Sequence, residues 1–251
     1  MEIVPVYFLL VFIVCVNAVQ DWCKVEKEHC NGHPHIACKN TNFPNGDCVN
    51  VQVVKVDQEL IDTILEKHNY YRNKVAKGNL KGYPQAAKMQ KMMWNDDLAY
   101  LATVHVKHCQ FEHDKCRATP DFPYAGQNLA FHATTGHLDK NLTGIVSFMI
   151  DEWFNEYSLV SPDCVDKFTK DHLEAGHFTA MIREKSNCVG CAMITYNFVE
   201  SGKEWTGLIL TCDYAETNML NWPIYTKGAP CSECTSIGKS VSSDYDSLCS
   251  P

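Results

Sequence analysis

Fourteen cysteines in 251 residues constrain this chain more than any other feature, because what they do depends on the compartment the chain enters. An apolar run from Val4 to Val16 ends in Val16-Asn17-Ala18, a small-residue cleavage pattern, so residues 1–18 read as a secretory signal peptide. Its n-region is atypical, with Glu2 as the one charged side chain. The run is shorter than the roughly 20 apolar residues that span a bilayer, and no later stretch reaches that length. The expected product is therefore a secreted, extracellular protein with no stable membrane insertion. Cleavage removes Cys15 and leaves an odd number of cysteines in an oxidising environment. Disulfides are expected there, each worth about 2–4 kcal/mol through restriction of the unfolded chain. At least one thiol must remain free, capped or intermolecular.

A mature chain of roughly 230 residues is long enough to bury a core, so the cysteines supplement packing and do not replace it. The formal net charge of −8 gives no electrostatic footprint for nucleic acid. Asn141-Leu142-Thr143 is a glycosylation sequon.

The chain divides by composition. Residues 19–56 carry Cys23, Cys30, Cys38 and Cys48 among Asn, Gly, Pro and Lys without apolar periodicity, which describes a disulfide-pinned extension. From Asp57, a plausible N-cap, Leu60, Ile61, Ile64, Leu65, His68, Tyr71 and Val75 recur at helical spacing until Gly78. A second helix is expected from Asn95, with Leu98, Leu101, Ala102, His105 and Cys109 on one face. A third is expected from near Leu142 through Ile145, Phe148, Met149, Trp153 and Tyr157. Gly190–Phe198 and Trp205–Tyr214 are β-rich runs around a Ser-Gly turn and read as an antiparallel hairpin. Helices bracketing a small antiparallel sheet imply an α+β sandwich. The main domain is assigned to residues 57–220, and 221–251 to a cysteine-containing tail laid over it.

Seven histidines lie between positions 105 and 177. His105 and His108 fall near an apolar helix face and read as packed or surface residues. His33-Pro34-His35 has a His-x-His form, and His172 and His177 are five apart, which does not match an i, i+4 helical ligand pair. Familiar catalytic templates are absent: there is neither His-Glu-x-x-His nor Gly-x-Ser-x-Gly. Gly238-Lys239-Ser240 lacks the earlier glycine of a phosphate loop, where Glu233 stands. Cys188-Val-Gly-Cys191 has redox spacing but runs into an expected strand, so disulfides to distant partners are the better reading. No Arg-Gly-Asp tripeptide occurs.

Three segments in fixed order carry more information: CQFEHDKC at 109–116, AGQNLAF at 125–131 and GHFTAMI at 176–182, with WFNE at 153–156 between the last two. Their order resembles the superfamily of cysteine-rich secretory proteins, antigen 5 and pathogenesis-related proteins, over about residues 57–215. The N-terminal cysteine spacing, with HIAC at 35–38, and the closing SLCS at 247–250 are similar to its insect antigen 5 branch. The resemblance implies a three-layer α-β-α sandwich and one open cleft lined by His113, Gln127, Glu156 and His177. Position 127 departs from the broader pattern, which has an acidic residue there; Gln is common in the antigen 5 branch. A neutral amide cannot act as a general base and binds divalent cations less well than a carboxylate. Two histidines and a glutamate with water would still satisfy a zinc geometry, so His113 and His177 are the candidate metal residues, with Zn or Cu as possible ions and no cofactor required.

The same resemblance implies the pairs Cys23–Cys38, Cys30–Cys116, Cys48–Cys109, Cys191–Cys212 and Cys234–Cys249. Of the three that remain, Cys164–Cys188 is taken as a sixth pair, leaving Cys231 over. The implied source is the saliva or venom of an insect, where such proteins are often allergens. The leading functional expectation is a non-enzymatic binding protein for a small hydrophobic ligand, a lipid or eicosanoid, with Ile145, Phe148 and Met149 able to line a channel. Alternatives are metal-linked chemistry, such as superoxide removal at His113 and His177, and a toxin-like surface for a receptor or clotting factor. Host proteins, immunoglobulin E among them, are the candidate partners.

Overall fold

The computed structural model describes residues 20–39 and 48–251; the expected signal peptide at 1–18 and part of the N-terminal extension lie outside the described residues. Periodicity in the sequence becomes layering in the structure. The central hairpin is β4 (Cys188–Glu200) with β5 (Lys203–Tyr214), closed by Ser201-Gly202. Both turn residues have positive φ, at 51° and 73°, the geometry of a two-residue turn whose twist matches that of its strands. The strands therefore run almost to the turn, further than their apolar stretches suggest. Outside the hairpin lie β1 (Val49–Val54) and β3 (Gly126–Thr134), giving the order β1-β4-β5-β3, with two-residue β2 (Met93–Trp94) parallel to the start of β4. β3 is thus an edge strand, antiparallel to β5 throughout.

Alternation along β4 and β5 separates two cores. Val189, Cys191, Met193, Leu208, Leu210, Cys212 and Tyr214 point into the larger one, with α2 (Gln58–Ala76), α4 (Leu142–Asn155) and α5 (Gly176–Met181). Ala192, Ile194 and Ile209 point the other way, onto α3 (Asp96–Lys107). The result is the α-β-α sandwich, an α+β fold. Each long helix starts at a side-chain cap: Asp57 accepts from the Leu60 amide at 3.1 Å, Asn95 from Leu98 at 3.0 Å and Asn141 from Gly144 at 3.0 Å. Close approach of α3 to the sheet requires Gly190, where an added Cβ would lie 2.1 Å from the Ala99 amide nitrogen.

One buried cation ties the larger core together. Arg72, with no exposed surface, donates from Nε to the Gln90 carbonyl and from Nη1 to those of Met181 and Arg183, each at 2.9 Å. α2 is thereby fastened to the end of α5.

The ends are held covalently. α1 (Trp22–His29) stacks Trp22 on His35 and Tyr100; Cys23–Cys38 closes the extension on itself, and Cys30–Cys116 and Cys48–Cys109 fix it to the loop after α3. Cys191–Cys212 joins β4 to β5, and Cys234–Cys249 closes the tail. The tail lies against the body through the ion pairs Lys77–Asp246 and Lys91–Asp244.

The expected Cys164–Cys188 bond is not formed: both are free thiols, as is Cys231. The sheet explains why. Cys188 begins β4 on the α3 side with Leu98, whereas Cys164 packs into the larger core. Burial pushes the Cys164 thiol up to about 11 and raises that of Cys188, so both stay protonated and inert.

Candidate functional site: a two-histidine cleft beside an aromatic groove

The end of β3 builds the site, because consecutive strand residues point to opposite faces. Gln127 points toward the α3 side and meets the loop carrying His113; Asn128 points toward α5 and donates to the His177 carbonyl at 3.1 Å. The His113 loop is bracketed by the disulfides at Cys109 and Cys116, and His177 is the second residue of α5. Glu156 follows α4 and receives the α5 amides of His177 and Phe178 on Oε2 at 3.0 and 3.2 Å. Its Oε1 lies 2.5 Å from His177 Nδ1. His113, Gln127, Glu156 and His177 line one cleft of about 480 Å³, together with Arg117 and Asn218.

Hydrogen bonding sets the chemistry of His113. Gln127 Nε2 donates to Asp114 at 2.8 Å and to Asp213 at 2.9 Å, two carboxyl oxygens that accept the amide's hydrogens. The amide orientation is thereby determined, and Gln127 Oε1 faces His113 Nδ1 at 2.8 Å as an acceptor. His113 is then the Nδ1–H tautomer, with the Nε2 lone pair not used by Gln127. Burial, opposed by the Gln127 bond, lowers the His113 pKa and keeps the ring neutral. The His177 ring is oriented in the same way, with Nδ1 held by Glu156.

Beneath them, Arg117 donates from Nε to Asp114 at 2.9 Å. Burial pushes Asp114 upward, but the Arg117 charge and hydrogen bond, with His105 and the Gln127 bond, together outweigh it and hold the carboxyl below its usual range. Asp213 has no exposed surface; burial raises it well above the usual range, Asp114 adds to this, and Arg117 opposes it only in part. Arg117 lies between the two acids, 2.9 Å from Asp114 and 4.0 Å from Asp213, and offsets their charge.

A second hollow, of about 460 Å³, shares Glu156 and His177 with the cleft and runs between α4 and edge strand β3. Leu129, Met149 and Trp153 line it, and Phe111, Phe131 and Phe148 are 56%, 43% and 56% exposed beside it. Trp153 is fixed by a bond from Nε1 to the Leu129 carbonyl at 3.0 Å.

A model of the cysteine-rich secretory protein family matches residues 65–214. The chain belongs to that family. Venom allergen-1 of Aedes aegypti is 35% identical to this member over 251 residues, covering 99% of this chain and 94% of its own. Antigen 5 like allergen Cul n 1 of Culicoides nubeculosus is 38% identical over 202 residues, covering 75% and 90%. Among solved structures, NaASP2 with Zn2+ is 26% identical with a TM-score of 0.57, covering 77% of this chain and 96% of its own. This is a venom allergen-like, antigen 5-like member of the cysteine-rich secretory protein family.

Three other histidines, His35, His105 and His172, are held by hydrogen bonds of a structural kind. His105 bonds Thr211 and the Glu112 carbonyl, both at 2.9 Å. His35 bonds the Ala118 carbonyl at 2.8 Å through Nε2 and accepts the Ala37 amide on Nδ1. His172 accepts the Thr169 amide at 3.0 Å. Asn141 is an exposed helix cap whose Oδ1 accepts from Thr143 at 2.9 Å.

Sequence reasoning missed Asp114, Arg117 and Asp213, as well as Phe111 and Phe131. One signal was present, an aspartate inside the run ILTCDY; it sits directly across the ladder from Gln127. Of the three helix residues expected along a ligand channel, Phe148 and Met149 border the groove, while Ile145 packs on the larger core.

The donor set fits a metal only in part. The Nδ1 partners leave Nε2 on both imidazoles, an oriented pair of the kind that ligates zinc or copper. Among the described residues, however, no three His, Cys, Asp or Glu side chains are grouped to hold an ion. Glu156 is already engaged at both oxygens. Such an ion would be held by two side chains and completed by water. Among the described residues, no helix is long and apolar enough to cross a membrane.

Proposed function

We propose that this antigen 5-like protein is a secreted binding protein that holds a small hydrophobic ligand, of lipid or eicosanoid type, in the groove between α4 and β3. The reading rests on the exposure of Phe111, Phe131 and Phe148 around one hollow. Each 100 Å² of apolar surface that a ligand covers there contributes about 2.5 kcal/mol at ~25 cal/mol per Å². The five disulfides suit an oxidising compartment, which supports secretion. The allergen names of its relatives support host proteins, immunoglobulin E among them, as partners. Solvent extraction of the secreted, disulfide-intact protein and mass spectrometry of the extract test the ligand reading. An apolar compound is expected from the native protein and not from Phe131→Ala/Phe148→Ala. A native protein that yields no such compound, and takes up none when offered, sinks it.

A second reading is reversible zinc or copper binding through the Nε2 atoms of His113 and His177. It is favoured by the Nδ1 anchoring of both rings and by the zinc that accompanies NaASP2 among the solved relatives. In that reading the ion supplies a Lewis acid, Gln127 and Glu156 hold the imidazoles in their ligating tautomers, and Arg117 and Asp114 set the charge below.

A further inference from the structure

We infer that the groove selects a lipophilic cation, an ammonium carried on an aromatic or alkyl body. This narrows the binding reading above, away from carboxylate-bearing lipids and eicosanoids, and rests on its apolar groove. The ionisable side chains lining the groove, His177 aside, are Glu152 and Glu156, with neither Lys nor Arg. Glu156 places its carboxyl group at the boundary of groove and cleft, engaged by α5 amides and His177. Glu152 is exposed on α4, and among the described residues its carboxylate has one long contact, from Asn155 Nδ2 at 3.4 Å. Arg117 lines the cleft and is held by Asp114, so it offers no anchor to an anionic head in the groove.

The walls favour the same sign of charge. Phe111 and Phe131 are tilted at 52° with centroids 6.0 Å apart and line the hollow beside Phe148. A cation over an aromatic face gains roughly two- to thirtyfold in affinity, depending on how fully it is desolvated. The acidic chain, at a formal −8, also raises the local concentration of approaching cations. A fatty-acid carboxylate would instead meet two like charges.

Fluorescence titration at low ionic strength with three probes of one body separates the cases: 2-(1-naphthyl)ethylammonium, 2-(1-naphthyl)ethanol and 3-(1-naphthyl)propanoate. The ammonium is expected to bind at least about fivefold tighter than the alcohol, and the carboxylate more weakly than either. Glu152→Gln, at an exposed position, weakens the ammonium by about two- to fivefold and leaves the alcohol unchanged. Phe131→Ala weakens all three. Equal binding of ammonium and alcohol, or tightest binding of the carboxylate, overturns the cation assignment; sensitivity to Phe131→Ala would still uphold the apolar groove. An ammonium affinity unchanged by Glu152→Gln also overturns it. Binding of none of the three overturns this inference and the groove reading together.

Discussion

Replacing Gln127 by Glu tests the buried network more sharply than removing either histidine. In the native protein the amide donates to Asp114 and Asp213 at 2.8 and 2.9 Å while accepting from His113. A carboxylate there puts an acceptor against Asp114, which Arg117 keeps ionised. One charge-assisted bond is lost, worth about 1.5–3 kcal/mol. Repulsion is relieved only if the folded variant takes up a proton, on the introduced carboxylate or on His113. Either uptake is a folded-state pKa raised above the unfolded value, near 4.3 for Glu or 6.5 for His. Stability gained from that proton is present at low pH and lost as pH rises, by up to ~1.4 kcal/mol per pH unit. Gln127→Glu should therefore be close to the native protein near pH 5 and about 2–4 kcal/mol less stable at pH 8, or roughly 4–16 °C in Tm. Urea unfolding followed by tryptophan fluorescence, in metal-free buffer with the disulfides intact, measures this directly. A deficit independent of pH, or a variant as stable as the parent at pH 8, would refute the assignment of the amide to the two aspartates.

Arg72→Met strips donors from the Gln90, Met181 and Arg183 carbonyls, and at about 1 kcal/mol for each buried acceptor it should cost about 3 kcal/mol in the same unfolding assay. Alkylation of the denatured, unreduced protein should label Cys164, Cys188 and Cys231, whereas in the native protein only Cys231, the least buried of the three, should react at an appreciable rate; labelling of Cys231 alone after denaturation would restore the Cys164–Cys188 bond. Isothermal titration with zinc should show weak binding that is lost in His113→Ala/His177→Ala, and binding unchanged by that pair would place the ion elsewhere.

The helices and the hairpin were legible because their signals are local. Asp57, Asn95 and Asn141 each stand one helical turn before an apolar stripe, and Ser201-Gly202 adopts the turn that its residue types favour. β3 was not legible as a strand, because Gln127, Asn128 and Leu129 are all buried in succession and show no alternation. α5 is one short helix without a side-chain cap, held by Glu156 from another element. The motif segments pointed to His113 and His177. The acids that orient His113 through Gln127 depend on the register of β3 against β5, which no local pattern encodes. The sixth disulfide failed for a similar reason: which side of the sheet a cysteine occupies is a tertiary fact.

The groove carries the functional account, so the decisive measurement is an equilibrium titration of the disulfide-intact protein with a neutral apolar fluorophore such as Nile red. Saturable one-to-one binding, weakened at least about tenfold in Phe131→Ala/Phe148→Ala, is the predicted result. Absence of saturable binding, or the same affinity in the double variant, would contradict it.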